Sequence, residues 1–133
     1  MTAQARICLI DDDVIVLDAI AAGLRDAGYR VFTAPGAAAG LELAAREGVD
    51  AIVTDMNMPG TSGAQLIAEA RAKWLHLPIV AISGASSVNG VSVHDAARAL
   101  GADTLLKKPF RARELHEVLQ SLLARRQPRD APA

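Results

Sequence analysis

Short apolar runs alternate along the chain with longer segments in which apolar residues recur every three or four positions. Five of the runs have the length and composition of strands, and a segment of helical period follows each one: "RICLID", "YRVFTA", "AIVTD", "IVAIS" and "TLL". Near-continuous apolar strands that alternate with helices are typical of a parallel sheet covered on both faces. The pattern therefore predicts an α/β fold of five strand–helix units.

The same periodicity predicts which helix faces are buried. In the first helix, with Asp13 as its N-cap and Gly28 as its stop, the buried face is formed by Val14, Leu17, Ile20, Ala21 and Leu24. In the third helix it is formed by Leu66, Ile67, Ala70 and Trp74. The segment "GASSVNGVS", which precedes the fourth helix, is rich in small residues and is predicted to be an irregular loop.

Composition narrows the class of protein. The chain has 133 residues, the size of one domain, and is 51% hydrophobic, which suffices for a core. Its net charge of −1 gives no general reason to expect nucleic acid or an anionic membrane as a partner. A single cysteine excludes a disulfide framework, and no apolar stretch reaches the roughly 18 residues of a membrane helix. We expect a cytoplasmic protein without a signal peptide.

Chemically active side chains follow several of the predicted strands. The first strand runs into three carboxylates, Asp11 to Asp13, and the third ends in Asp55. The fourth strand ends in Ser83, and the fifth runs into Lys107 and Lys108. In open parallel sheets ligands bind beyond the carboxyl ends of the strands, so these groups should meet on one rim.

Crowded carboxylates resist ionising together, so a cation is expected among them. Oxygen ligands of this kind suit Mg²⁺, which binds through one or two carboxylates and keeps several waters. A carboxylate can also act as a nucleophile and form an aspartyl phosphate, whose oxygens need neutralising charge. Taken singly, each of these residues also has an ordinary structural interpretation. Asp13 can be only a helix cap, Ser83 only a turn residue, and a lysine only a surface charge. Their joint placement at four strand ends favours a site.

The motifs "LIDDD", "IVTDMNMPGTSG", "IVAISG" and "GADTLLKKPF" occur in this order, and with them the sequence resembles the receiver domain of two-component response regulators. The resemblance covers residues 5–126 and leaves 127–133 as a flexible C-terminal tail. It implies a flavodoxin-like, doubly wound (βα)5 fold with strand order 2-1-3-4-5. It also implies a phosphoryl donor, which is a sensor histidine kinase or a histidine phosphotransfer protein.

The resemblance assigns roles to the acids and their neighbours. Asp55 resembles the phosphoacceptor and a metal ligand, and Asp12 resembles the direct Mg²⁺ ligand. Asp11 resembles the acid that holds a metal-bound water, and Asn57 the residue whose backbone carbonyl binds the metal. The cofactor implied is Mg²⁺.

Further residues of the site follow from the same motifs. Ser83 resembles the switch hydroxyl, and Lys108 the lysine that binds the phosphoryl group. Gly84 stands where the family has a small residue that leaves room for this group. The bond between Lys108 and Pro109 resembles a peptide that is cis in the family. A cis bond is plausible there because the free-energy preference for trans is small before proline.

Lys107 and Leu105 lie close to the site lysine in the sequence but are not expected to act as Lys108 does. Adjacent strand residues face opposite ways, so only one of the two lysines can enter the site; the motif "KPF" selects Lys108 and leaves Lys107 in solvent or at a partner surface. Three residues before Lys108 the family often has an aromatic side chain that turns inward on activation, and here the residue is Leu105. The loop after Ser83 is also a few residues longer than is common.

The sequence therefore predicts a phosphorylation-controlled switch that signals to an unknown downstream protein through a surface of this domain. It is not expected to be an enzyme beyond promoting its own phosphotransfer and dephosphorylation. Two alternatives remain. One is a pseudo-receiver, an interaction module that does not use phosphate. The other is a Mg²⁺-dependent phosphatase with an aspartyl nucleophile, although such enzymes typically carry an acid where this chain has Asn57.

Overall fold

A parallel sheet forms the centre of the molecule. The computed structural model describes residues 4–56, 63–84, 87–88 and 91–125, so the predicted site residue Asn57 and the predicted tail lie outside the described residues. The strands are β1 (Arg6–Ile10), β2 (Arg30–Ala34), β3 (Ala51–Asp55), β4 (Ile79–Ser83), β5 (Ser87–Val88), β6 (Val91–Ser92) and β7 (Thr104–Lys107). Five of them pair in the order β2-β1-β3-β4-β7 with all neighbours parallel. This is the predicted order 2-1-3-4-5, counted over the main sheet.

Helices cover both faces of the sheet. They are α1 (Val14–Asp26), α2 (Ala37–Glu47), α3 (Gly63–Lys73), α4 (Val93–Leu100) and α5 (Ala112–Arg125). One apolar core lies between the sheet and α1 with α5, and a second lies between the sheet and α2, α3 and α4. None of the helices in the described ranges is long and apolar enough to cross a membrane.

The central strands show why the apolar runs are continuous. Successive residues of β1 point to opposite faces, so Ile7 and Leu9 join one core while Cys8 and Ile10 join the other. Every residue of β3 and β4 is buried. A strand that is buried on both faces has no solvent side on which polar residues would be favourable.

The start of α1 corrects one prediction. Asp13 caps the helix as expected, since its Oδ1 accepts from the main-chain N–H groups of Ile15 and Val16 at 3.1 and 3.3 Å. The predicted buried face holds from Leu17 onward, but Val14 is 56% exposed. α1 begins beyond the end of β1, and Val14 belongs to neither of the apolar cores formed by the described residues. Ile15 in the same turn is also exposed.

A small ribbon occupies part of the segment that was predicted to be an irregular loop. β5 and β6 pair antiparallel, with Ser87 opposite Ser92 and Val88 opposite Val91. The prediction was wrong here because strands of two residues are too short to show a period. The ribbon leads directly into α4, whose first turn is capped by the Ser92 hydroxyl. The ribbon therefore stands between the end of β4 and the helix that follows.

Candidate functional site

The ends of four parallel strands bring the predicted site residues to one edge of the sheet. Asp11 follows β1, Asp55 ends β3, Ser83 ends β4 and Lys108 follows β7. In register, Asp55 lies opposite Ile82, one residue before Ser83. The site predicted from the sequence is therefore assembled by the topology from segments far apart in the chain.

Three carboxylates form a cluster at this edge. Ligand oxygens of Asp11, Asp12 and Asp55 all lie within 4.8 Å of one another. Asp11 is fully buried and Asp55 is 4% exposed, whereas Asp12 is exposed. Hard oxygen donors at this spacing, with one side open to solvent, fit a small divalent cation such as Mg²⁺.

Lys108 supplies positive charge to the two buried acids. Its Nζ donates to Asp11 Oδ2 at 3.0 Å and to Asp55 Oδ2 at 3.2 Å. Burial lowers the pKa of the Lys108 ammonium, but the hydrogen bonds and negative charges of the two carboxylates outweigh burial and raise the pKa above its usual value. The ammonium therefore stays protonated at neutral pH and holds both acids by charge-assisted hydrogen bonds.

The structure separates the two lysines as predicted. Lys107 is the last residue of β7, lies opposite Ser83, and is exposed. The next main-chain N–H, that of Lys108, donates to the carbonyl oxygen of Ser83 at 2.8 Å, and the Lys108–Pro109 peptide is cis, as the resemblance implied. Lys108 therefore continues the pairing of β7 with β4 while its side chain turns toward the acids.

The three adjacent acids have different surroundings. Asp11 uses both carboxylate oxygens, since Oδ1 accepts from the main-chain N–H of Asp13 at 3.0 Å and Oδ2 accepts from Lys108. The Asp13 carboxylate is engaged in capping α1. Asp12 is the exposed member of the cluster. Asp11 is thus a fixed acid, Asp13 is a cap, and Asp12 faces the open side from which an ion would arrive.

The other predicted site residues border this edge. Ser83 is fully buried. Gly84 is exposed, and a β-carbon there would meet no described atom within 4 Å. Leu105 lies opposite Ala81 in the sheet and packs half-buried against the core on the side of α4.

Sequence reasoning missed two residues that contact the main chain of Asp55. The Thr54 hydroxyl donates to the carbonyl oxygen of Asp55 at 3.1 Å, and Gly63 brings the start of α3 against the same carbonyl. A threonine at the end of an otherwise aliphatic strand was the available signal for the first. No pattern in the sequence identifies the second, because the approach depends on where α3 returns to the sheet.

Known proteins similar to this chain include two mycobacterial regulators. "Transcriptional regulatory protein PrrA" of Mycobacterium tuberculosis is 38% identical over 121 residues, which are 91% of this chain and 51% of PrrA. "Response regulator MprA" of Mycobacterium leprae is 36% identical over 126 residues, 95% of this chain and 54% of MprA. The chain spans about half the length of the curated relatives it matches.

Solved structures with the same fold match almost end to end. The chemotaxis response regulator CheY4 of Vibrio cholerae superposes with a TM-score of 0.80 at 28% identity, covering 90% of this chain and 99% of CheY4. A response regulator receiver domain protein from Clostridium thermocellum gives 0.83 at 28% identity, covering 91% and 95%. The family model of the response regulator receiver domain matches residues 7–120. The chain therefore belongs to the response regulator receiver domain family.

Proposed function

We propose that this receiver domain accepts a phosphoryl group on Asp55 and acts as a switch in a two-component or phosphorelay system. The observation that carries the proposal is the arrangement around Asp55. Its buried carboxylate lies 3.2 Å from Lys108 Nζ and clusters with the carboxylates of Asp11 and Asp12. A nucleophilic carboxylate between a fixed ammonium and a candidate cation position has the charges that phosphoryl transfer needs.

The transfer step balances with a phosphohistidine donor. A carboxylate oxygen of Asp55 attacks phosphorus, the P–N bond of the donor breaks, and its electron pair stays on the imidazole nitrogen, which takes a proton from solvent. Lys108 is placed to neutralise one phosphoryl oxygen, and the Ser83 hydroxyl is proposed to hydrogen-bond another. Gly84, which has no side chain, would leave room for the group beside Ser83.

The residues present fit a magnesium ion, which when bound would neutralise negative charge on the phosphoryl oxygens. Asp12 and Asp55 would be its carboxylate ligands, Asp11 would hold a metal-bound water, and the Asn57 carbonyl would complete the protein ligands. The support is the chemistry of the donor set, three carboxylates with oxygens within 4.8 Å. Asp11, held on both oxygens by Asp13 and Lys108, is better suited to orient a water than to move toward an ion.

Signalling would follow from the different contacts that Ser83 and Lys108 make before and after phosphorylation, because a ligand shifts a two-state element only by its differential affinity. Leu105 cannot act as the aromatic reporter that is common in the family, so the ribbon of β5 and β6 and the adjoining α4 are the proposed moving parts. The partners proposed are a sensor histidine kinase or histidine phosphotransfer protein, met in the cytoplasm, and a downstream protein. No catalytic turnover of another substrate is proposed, and the domain is assigned to residues 5–126 with a tail at 127–133.

Labelling by a small acyl phosphate such as acetyl phosphate with Mg²⁺ tests the proposal. The wild-type chain should become labelled, and Asp55→Asn should not, because an amide cannot form the acyl phosphate. Asp18→Asn, which changes an exposed acid on α1, is the matched control and should label normally. Labelling of Asp55→Asn would move the acceptor elsewhere, with Asp11 examined first. An unlabelled wild type would favour the pseudo-receiver, and turnover of a phosphomonoester would favour the phosphatase.

A further inference from the structure

The main chain of Asp55 is held by a buried hydroxyl from its own strand. Thr54 Oγ1 donates to the carbonyl oxygen of Asp55 at 3.1 Å, and the Thr54 side chain is fully buried. The remaining residues of β3 before Asp55 are aliphatic. A buried hydroxyl needs a partner, and here the partner is the peptide of the candidate phosphoacceptor.

The start of α3 contacts the same peptide from another side. A β-carbon built at Gly63 would overlap the carbonyl oxygen of Asp55 and lie 2.7 Å from both the carbonyl carbon of Asp55 and the Cα of Met56. All of these are main-chain atoms, which cannot rotate away as a flexible side chain can. Gly63 therefore allows α3 to begin in contact with the backbone of Asp55. Any larger residue at this position would have to displace either the start of α3 or the Asp55 backbone.

The nitrogen of the same peptide is fixed as well. The main-chain N–H of Met56 donates to the carbonyl oxygen of Ile82 at 2.9 Å, so the Asp55–Met56 peptide is tied to β4 through its nitrogen. Only two side-chain torsions separate the Asp55 carboxylate from this backbone. The position of the peptide therefore sets where the carboxylate oxygens lie relative to Lys108 and the other acids.

We propose that Thr54 and Gly63 are positioning residues for phosphoryl transfer to Asp55, acting through the Asp55 carbonyl. The inference rests on the proposed function of Asp55 as the acceptor. A nucleophile reacts fast only while it is held at near-attack geometry, and a displacement of about 1 Å can cost about a hundredfold in rate. Loss of the Thr54 hydroxyl would allow the Asp55 carboxylate to leave the near-attack position. A β-carbon at Gly63 would push it out of that position.

The test compares labelling rates with acetyl phosphate and Mg²⁺, each normalised to the folded fraction measured by circular dichroism. Thr54→Val keeps the shape of the side chain and removes the donor, whereas Thr54→Ser keeps the donor. Gly63→Ala adds the β-carbon against Asp55. Gly101→Ala is the structural control, because a β-carbon there would lie 2.7 Å from the Arg71 side chain, at the edge of the sheet opposite the acids. Gly36→Ala is the neutral control, since no described atom lies within 4 Å of its added β-carbon.

The expected result is a rate about tenfold or more below wild type for Thr54→Val and Gly63→Ala. Thr54→Ser should recover the wild-type rate to within about threefold, and Gly101→Ala should label normally per folded molecule even if it is less stable. A wild-type rate in Thr54→Val or in folded Gly63→Ala overturns the inference, as does an equal slowing in Gly101→Ala. If Gly63→Ala does not fold, the comparison of Thr54→Val with Thr54→Ser tests the inference alone. An unlabelled wild type, or a labelled Asp55→Asn, instead overturns the proposed function.

Discussion

Lys108 is the residue on which the charge balance of the site depends. It contacts both buried carboxylates, with 26% of its side chain exposed. Removing one member of a buried ionic network leaves the other charges uncompensated, which costs more than the network contributed. The two acids would then be neutralised only by protons or by a bound cation.

We expect Lys108→Met to lower the free energy of unfolding by about 2–4 kcal/mol in the absence of divalent ions. Mg²⁺ should restore more stability to this variant than to wild type, because the ion no longer competes with an ammonium for the acids. Chemical denaturation with and without Mg²⁺ measures both effects. Lys73→Met is the control and should change stability by less than about 1 kcal/mol, since Lys73 is exposed and its ammonium lies over the Trp74 ring at an exposed site. Equal behaviour of the two variants would contradict the assignment of the charge balance to Lys108.

Cys8 gives the chain a pH-dependent stability in the alkaline range. Burial raises the pKa of the thiol from 9.0 to about 12. In the unfolded chain the thiol ionises first as the pH rises, so the unfolded state binds fewer protons and stability falls between about pH 9 and 12. Relative to Cys8→Ala, the wild-type chain should lose about 1.4 kcal/mol per pH unit in this window. Denaturant unfolding at several pH values measures the difference, and parallel curves for the two proteins would contradict it.

At the scale of elements, the limits of prediction are clear from particular segments. The fourth helix that the pattern predicts is present as α4, whose ends are marked by the Ser92 cap and by Gly101 in the left-handed conformation. Val14 was misplaced because helical period alone does not show where a helix extends beyond its sheet. The ribbon of β5 and β6 carries no periodic signal. Thr54 and Gly63 act through the main chain, which a pattern of side chains does not reveal.

Arg71 and its partner Asp103 join four elements at the edge of the sheet opposite the acids. Its guanidinium donates to the carbonyl oxygens of Trp74 and Leu75 after α3, to that of Gly101 after α4, and to the Asp103 carboxylate before β7. The Asp103 carboxylate also accepts from the main-chain N–H of Ile79 at the start of β4. One side chain therefore holds the ends of α3 and α4 to the beginnings of two strands.

Arg71→Met should lower the free energy of unfolding by about 1–3 kcal/mol, because it leaves several partly buried acceptors without their donor. Thermal or denaturant unfolding measures the loss. Arg46→Met is the control, since Arg46 forms only an exposed ion pair with Glu47 and should cost less than about 0.5 kcal/mol. A loss no greater than that of the control would show that water replaces the Arg71 contacts without penalty.

For the molecule as a whole, the strand directions explain why the site could be predicted before its geometry was known. Parallel strands in the order β2-β1-β3-β4-β7 place all their carboxyl ends on one edge, so strand-end residues must meet there. The hydrogen bonds that Lys108 makes with two acids at once depend on side-chain packing, which the sequence pattern does not specify. The same topology places Trp74 at the opposite edge, between α3 and the start of β4.

We therefore predict that Mg²⁺ binding leaves the fluorescence of Trp74 unchanged. A strand of five residues, about 16 Å, separates its edge from the acids. A tryptophan placed at the exposed position 15 by Ile15→Trp, in a Trp74→Phe background, should instead respond, because this position lies in the first turn of α1, three residues after Asp12. Fluorescence titration with Mg²⁺ compares the two. A change in Trp74 emission that is abolished by Asp12→Ala would show that the two edges communicate.

The contact between Asp11 and Lys108 joins residues 97 positions apart. During synthesis on the ribosome, Asp11 and Asp55 are therefore made well before Lys108, whose ammonium contacts both of them. Until the segment with β7 emerges and docks beside β4, the acids face each other without their ammonium. The proposed phosphoryl-accepting site of a nascent receiver is thus complete only once the last strand is added. We therefore expect unfinished chains to accept a phosphoryl group more slowly than completed ones.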